Sequence, residues 1–217
     1  MKKSLLLLLV LITLYTAHAQ KNLQDRKSFV TLSLGSMVSF APRFNAGYIH
    51  QVSDRWWAGT ALGYNAGLYE NDYGTPQYRL FEARPELYFD LRPDTRLKHL
   101  ASFELFYINH TDHFKNGEYT AKADGVEYEY DSADYKRVKT GFNINYNLIY
   151  YITPQLVLWQ KIGLGLRNRK VTYTNIVNKT ESDQWNLFDF GDRQFIQKEG
   201  PDWNANFNLD LSLAYRF

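Results

Sequence analysis

Cysteine is absent from the 217 residues, so no disulfide staples the fold and no lipidated N-terminal cysteine anchors it. Charge of one sign is also lacking: 25 Lys and Arg stand against 23 Asp and Glu, and no basic surplus points to nucleic acid. No apolar run reaches the ~20 residues of a spanning helix. Aromatic residues, by contrast, are abundant. The chain has 17 Tyr, 14 Phe and 5 Trp, 17% of its residues, with a mean hydropathy of −0.45. That pairing calls for an architecture that shows many rings on a surface and still houses polar groups.

The N-terminus reads as an export signal. Lys2 and Lys3 precede an apolar stretch from Leu5 to Tyr15, and Ala17-His18-Ala19 supplies an A-x-A cleavage site. Cleavage at 1–19 would leave one domain, 20–217, with Gln20 first and 23 basic against 23 acidic residues.

Past Gln20 the dominant signal is alternation with period two, which predicts β-strands. Phe207, Leu209, Leu211, Leu213, Tyr215 and Phe217 alternate with Asn206, Asn208, Asp210, Ser212, Ala214 and Arg216. Phe142, Ile144, Tyr146, Leu148 and Tyr150 alternate with Gly141, Asn143, Asn145 and Asn147, and Phe81 to Leu91 alternates likewise with Glu82, Arg84, Glu86, Tyr88 and Asp90. Weaker patterns at about 28–40, 44–52, 56–69, 97–109 and 155–169 bring the number of strands to eight. Turn residues at Ser53-Asp54-Arg55, 92–96 and Thr153-Pro154 predict tight connections at one end. The segments 70–76, 110–135 and 170–201 fall at the other end as loops, two of them long.

Volume decides which face points inward. The interior of an eight-stranded barrel is only wide enough to be filled by side chains, and the Phe, Tyr, Leu, Ile and Trp of the apolar faces would not fit. Gly35, Gly59, Ala61, Gly63, Gly141, Gly163 and Gly165 lie on the opposite face with Asn and charged residues, as a narrow polar lumen requires. A Lys or Arg facing lipid at mid-bilayer costs ~2–4 kcal/mol, and none lies on the apolar faces of 81–91, 142–150 or 207–217. Trp56, Phe89, Tyr150, Tyr215 and Phe217 form one expected interfacial girdle, with Tyr64, Tyr107 and Trp203 for the other.

On these residues the chain resembles the small eight-stranded outer-membrane barrels of Gram-negative bacteria, of the OmpA/OmpX type. The resemblance covers 28–217 as architecture, and its most specific element is the last strand ending in Phe217. It implies an all-β, antiparallel, up-and-down transmembrane barrel in the outer membrane, with Tyr215 and Phe217 read by the barrel-assembly machinery.

Several constellations are candidates for function. Glu82, Arg84, Glu86, Glu104, Arg137, Lys139, Lys161, Arg167, Asp210 and Arg216 place both signs of charge in one lumen, as a packed ion-pair network or the lining of a narrow pore. His110-Thr111-Asp112-His113 has ligand-like spacing but no third well-spaced partner, and reads as solvated loop. No metal or cofactor is expected. A lipid-A-modifying enzyme would need a nucleophile, a base and an orienting acid together. His99 and Ser102, three apart on a strand, face opposite sides, whereas His50 has Ser36 or Ser39 as possible neighbours. Glu118 to Ala123, Asp124-Gly125 and Val126 to Asp131 read as a hairpin with a two-residue type I′ turn that would project strands beyond the membrane. Trp185, Phe188, Phe190 and Phe195 make the last loop either a plug or a binding surface. Pro85 removes one ladder hydrogen bond and should mark a bulge or local widening, and a bulge near Gln160 would turn Trp159 outward. The reading is a monomeric, non-enzymatic surface or envelope-complex protein acting through long extracellular loops. Its expected partners are the lipid bilayer, lipopolysaccharide, the assembly machinery and an envelope protein.

Overall fold

The computed structural model describes residues 28–39, 41–66, 77–92, 97–182 and 198–217. The export segment 1–19, the turn residues 93–96, the 70–76 connection and the rings of Trp185, Phe188, Phe190 and Phe195 lie outside these residues.

The described strands are β1 (Ser28–Ser33), β2 (Phe44–Gln51), β3 (Trp56–Ala66), β4 (Arg79–Asp90), β5 (Leu97–Thr120), β6 (Glu127–Tyr151), β7 (Leu156–Val177), β8 (Thr180–Glu181) and β9 (Gly200–Arg216). Each of β1 to β7 pairs antiparallel with its sequence neighbour, β7 pairs with β9, and β9 returns to β1 with Thr31 opposite Ala214. The ring therefore closes on eight strands and leaves no edge, which satisfies the backbone without water. The two residues of β8 extend the line of β7 along β6.

The alternation expected from the sequence holds through the ring. In β2, Asn45, Gly47 and Ile49 face inward, while Phe44, Ala46, Tyr48 and His50 face out. Around the outside, Ile144, Leu164, Phe207 and Leu209 are 62–68% exposed, an apolar belt that only lipid would cover. Inside the short-turn end, Phe29, Ile49, Trp57, Tyr88, Ile149 and Trp159 pack into an apolar floor, with Trp159 edge-on to Phe29 at 5.6 Å. The lumen is thus not polar throughout.

Of the two alternatives at Pro85, a bulge does not form and the β4–β5 ladder lapses beside it, while Ala83 opposite Tyr107 and Glu86 opposite Glu104 keep one register. Two other expectations about the strands are corrected. No bulge occurs at Gln160 either. Leu148 faces Gln160 and Ile149 faces Trp159 in an unbroken ladder, so Trp159 points inward and is buried. β1 ends at Ser33 and not near residue 40, because Ser36 turns back to Ser33, its amide donating to Ser33 Oγ (3.0 Å).

The hairpin expected at 118–131 is present and projects, but the loops expected around it are corrected. Most of 110–135 is strand, since β5 runs to Thr120 and β6 starts at Glu127, and β7 carries on to Val177. Tilted strands need only ~9–11 residues to cross the bilayer, whereas β5, β6 and β7 have 24, 25 and 22. Their upper halves project as a three-stranded sheet. Above the lipid, hydropathy falls while hydrogen-bonded pairing persists, so composition alone mimics a loop. The Asp124-Gly125 hairpin forms, but its loop spans 122–125: Ala121 and Val126 close it, and only Gly125, at φ 72°, is left-handed. A type I′ turn would need positive φ at both central residues.

Candidate functional site: the charged lumen

Alternation places Glu82, Arg84 and Glu86 of β4, Glu104 of β5 and Lys161 of β7 on the lumen side of adjoining strands. Glu82 accepts from Nε of both Arg43 and Arg84. Glu104 accepts from Arg84 Nη1 (2.7 Å), Lys161 Nζ (3.0 Å) and Asn143 Nδ2 (2.7 Å). Glu86 pairs with Lys161 and accepts from Ser102 Oγ (2.5 Å), Tyr88 Oη (2.8 Å) and Asn145 Nδ2 (3.1 Å). Three buried carboxylates thus meet three cations, and hydrogen bonds take up their remaining lone pairs, as burying charge demands.

Glycine makes the asparagine part of this layer possible. In register, Asn143, Gly165 and Asn206 form one row across β6, β7 and β9, and Asn145, Gly163 and Asn208 the next. A Cβ on Gly163 would sit 2.0 Å from Asn145 Oδ1 and one on Gly165 2.6 Å from Asn143 Oδ1. Without those methyls Asn206 donates to Asn143 (2.7 Å) and Asn208 to Asn145 (3.0 Å) over the middle strand. Asp210 accepts from Ser33 (2.5 Å) and Ser212 (2.7 Å). Beside it a cavity of about 120 Å³ opens among Thr31, Ser33, Gly35, Asn45 and Gly47.

Arg43 is the member of the network that sequence reasoning missed. It lies in the short connection before β2, and its guanidinium returns to the lumen, bonding Ala41 O (2.9 Å) and Ser39 Oγ (3.2 Å). Arg137, Lys139 and Arg167 are also inward, one layer above the acids. Arg137 and Lys139 make no ion pair among the described residues, so the charges of the lumen do not all pair. Arg216 sits at the lower rim with its guanidinium over Tyr151 at 5.8 Å.

No protein family matches the chain, and no curated protein matches it. Among solved structures it is similar to Acinetobacter baumannii CarO at 11% identity, with 91% of this chain and 99% of that one covered and a TM-score of 0.43. It is similar also to a major outer membrane protein from Thermus thermophilus (12%, 88% and 99%, 0.44) and to Neisserial surface protein A (13%, 88% and 94%, 0.31). With its closed ring and apolar belt, the chain is a transmembrane β-barrel.

The other constellations separate. His110, Asp112 and His113 are on β5 and not in a loop: His110 and Asp112 are buried inside, while His113 faces out and bonds Asp134 (2.7 Å). Among the described residues no three His, Asp or Glu are grouped to hold a metal. Ser102 bonds Glu86 inside while His99 meets Tyr146 outside. Ser36 and Ser39 bond around the Arg43 turn. His50 instead meets Ser28 Oγ (2.8 Å), with no carboxylate on it among the described residues.

The projecting sheet has a core of its own. Phe114, Tyr119, Tyr130, Tyr135 and Tyr173 cluster there, and the rings of Tyr119 and Tyr173 stack at 4.8 Å. On the ladder Tyr119 faces Tyr128, and Tyr173 faces Tyr135, a separation of about 23 Å along a straight strand. The sheet must therefore fold back. Left-handed Asn116 in β5, the register shift between Ser132 and Asp134 in β6, left-handed Asn175 in β7 and left-handed Asn178 just past it align to make that bend. The folded tip is tied to the start of β9, where the Glu199 amide donates to Thr120 O (3.0 Å). Lys179 Nζ lies 3.5 Å from the Tyr128 ring centre.

Proposed function

We propose that this is a non-enzymatic, monomeric outer-membrane barrel that acts as a surface or envelope-complex protein, with its folded β5–β7 projection as the contact element. One observation carries the reading: the lumen is packed with an apolar floor and an ion-pair network, while the strands exceed the membrane span on one side only and end in a self-packed aromatic tip. Material invested outside the bilayer, above a filled barrel, suits recognition better than conduction. The assignment includes export by 1–19, assembly through Tyr215 and Phe217, a bilayer with lipopolysaccharide around the belt, and a protein partner in the envelope. Trp185, Phe188, Phe190 and Phe195 are assigned to the same outer surface.

The test is a pull-down from native envelope with two variants. In one, an Asn-Gly turn joins Asp112 to Tyr135 and removes the projection; in the other, Gly/Ser replaces 182–196. Both should remain heat-modifiable on gels, and loss of the partner with the first would support the assignment. Partner retention by both would place the contact on the lipid-facing wall. Unitary conductance in planar bilayers would make the protein a pore instead, and altered lipid A by mass spectrometry would make it an enzyme.

A further inference from the structure

Above the matched ion-pair layer, the lumen face of β6 carries Arg137 and Lys139, which make no ion pair among the described residues, and that of β7 carries Arg169. Lys139 lies directly opposite Arg169, and Gly141 opposite Arg167, while Arg137 is the next inward residue of β6. Like charges directly opposite on one sheet face destabilise the pair. Relief from the neighbouring strands is slight. On β5 the residues opposite Lys139 and Arg137 are Ile108 and His110, and on β9 the residues opposite Arg167 and Arg169 are Asn204 and Asp202. Asp202 meets Arg169 Nη2 at 3.3 Å, and the nearby Asp112 takes the His113 amide (2.8 Å) and faces His110 (3.6 Å). Lys139 Nζ lies 5.4 Å from the centre of the Phe106 ring, which the Arg84 guanidinium also approaches at 5.5 Å.

We infer that Arg137, Lys139 and Arg169 form a binding site for a small soluble oxoanion of the phosphate class. Nε of Arg137 and of Arg169 is buried and has no hydrogen-bond partner among the described residues, and the Arg169 side chain is 3% exposed. Guanidinium forks match tetrahedral oxoanions. The β6–β7 ladder is unbroken from Asp134 to Tyr151, so a lipid headgroup outside the wall does not reach these groups. The anion therefore comes from solution and not from the membrane.

Phosphorus-31 NMR with the purified full-length barrel in detergent, titrated with inorganic phosphate against a constant chloride background, tests the inference. Expected is saturable line broadening, weakened about tenfold or more in Arg137→Gln/Lys139→Gln because charge-assisted bonds are lost. Lys170→Gln, on the outward face of the same strands, should behave as the unaltered protein. Absence of saturable broadening in the unaltered protein would overturn the site, whether or not the double variant folds. Equal binding by a folded double variant would overturn it too. Broadening by lipid A vesicles but not by inorganic phosphate would overturn the soluble source.

Discussion

Glu104 joins four strands, because its carboxylate touches Arg84 of β4, Asn143 of β6 and Lys161 of β7 from its own place on β5. Replacing it with alanine leaves two buried cations each with one acid fewer. Glu104→Ala should lower stability by about 3 kcal/mol, measured by urea unfolding in lipid vesicles. Glycine separates two kinds of constraint at the same scale. A Cβ at Gly165 would lie 1.8 Å from Phe142 O, a backbone atom that cannot move aside. Gly165→Ala should therefore cost about 3 kcal/mol or more, seen as loss of heat-modifiable barrel. At Gly125 nothing lies within 4 Å, and the obstacle is its φ of +72°. Gly125→Ala should cost about 1 kcal/mol and disturb the tip alone.

At the scale of the strand, depth governs the cost of a charge. Leu209 and Trp203 both face out from β9, 68% and 70% exposed, but Leu209 lies deeper in the belt. Leu209→Arg should lose ~2–4 kcal/mol and Trp203→Arg at most ~1 kcal/mol, read from folding yield in vesicles. Equal losses would remove the bilayer placement. The hairpin at 122–125 offers a pH test outside the membrane. The Val126 amide and the Tyr128 hydroxyl hold the Asp124 carboxyl below its ordinary range. A carboxyl depressed on folding contributes stability above its unfolded pKa, near 3.8, and loses it as the pH falls through the folded value. Hydrogen exchange corrected for intrinsic rates should show Asp124→Asn less protected than the unaltered hairpin at neutral pH. That difference should vanish in strong acid.

For the whole molecule, the legible and the illegible parts of the chain divide at the membrane surface. Within the bilayer, period-two alternation at 81–91, 142–150 and 207–217 determined strands, facing and an eight-stranded ring by itself, because lipid on one side and a narrow lumen on the other impose opposite demands on neighbouring residues. Outside the bilayer water meets both faces and the demand lapses, so in 110–135 only the hairpin around Asp124-Gly125 was legible and the rest carries strand pairing under loop-like composition. Which charges meet was also beyond the sequence. Alternation put Glu82, Glu104 and Lys161 in the lumen, but only the closed register decided that Glu104 touches Lys161 and that Lys139 faces Arg169. Arg43 was invisible for the same reason, lying in a connection and reaching Glu82 across the barrel mouth. Local periodicity depends on each residue's own surroundings and is written along the chain. Ion pairing, the apolar floor and the folded tip depend on contacts between residues far apart in sequence, and those exist only once the eight strands have closed.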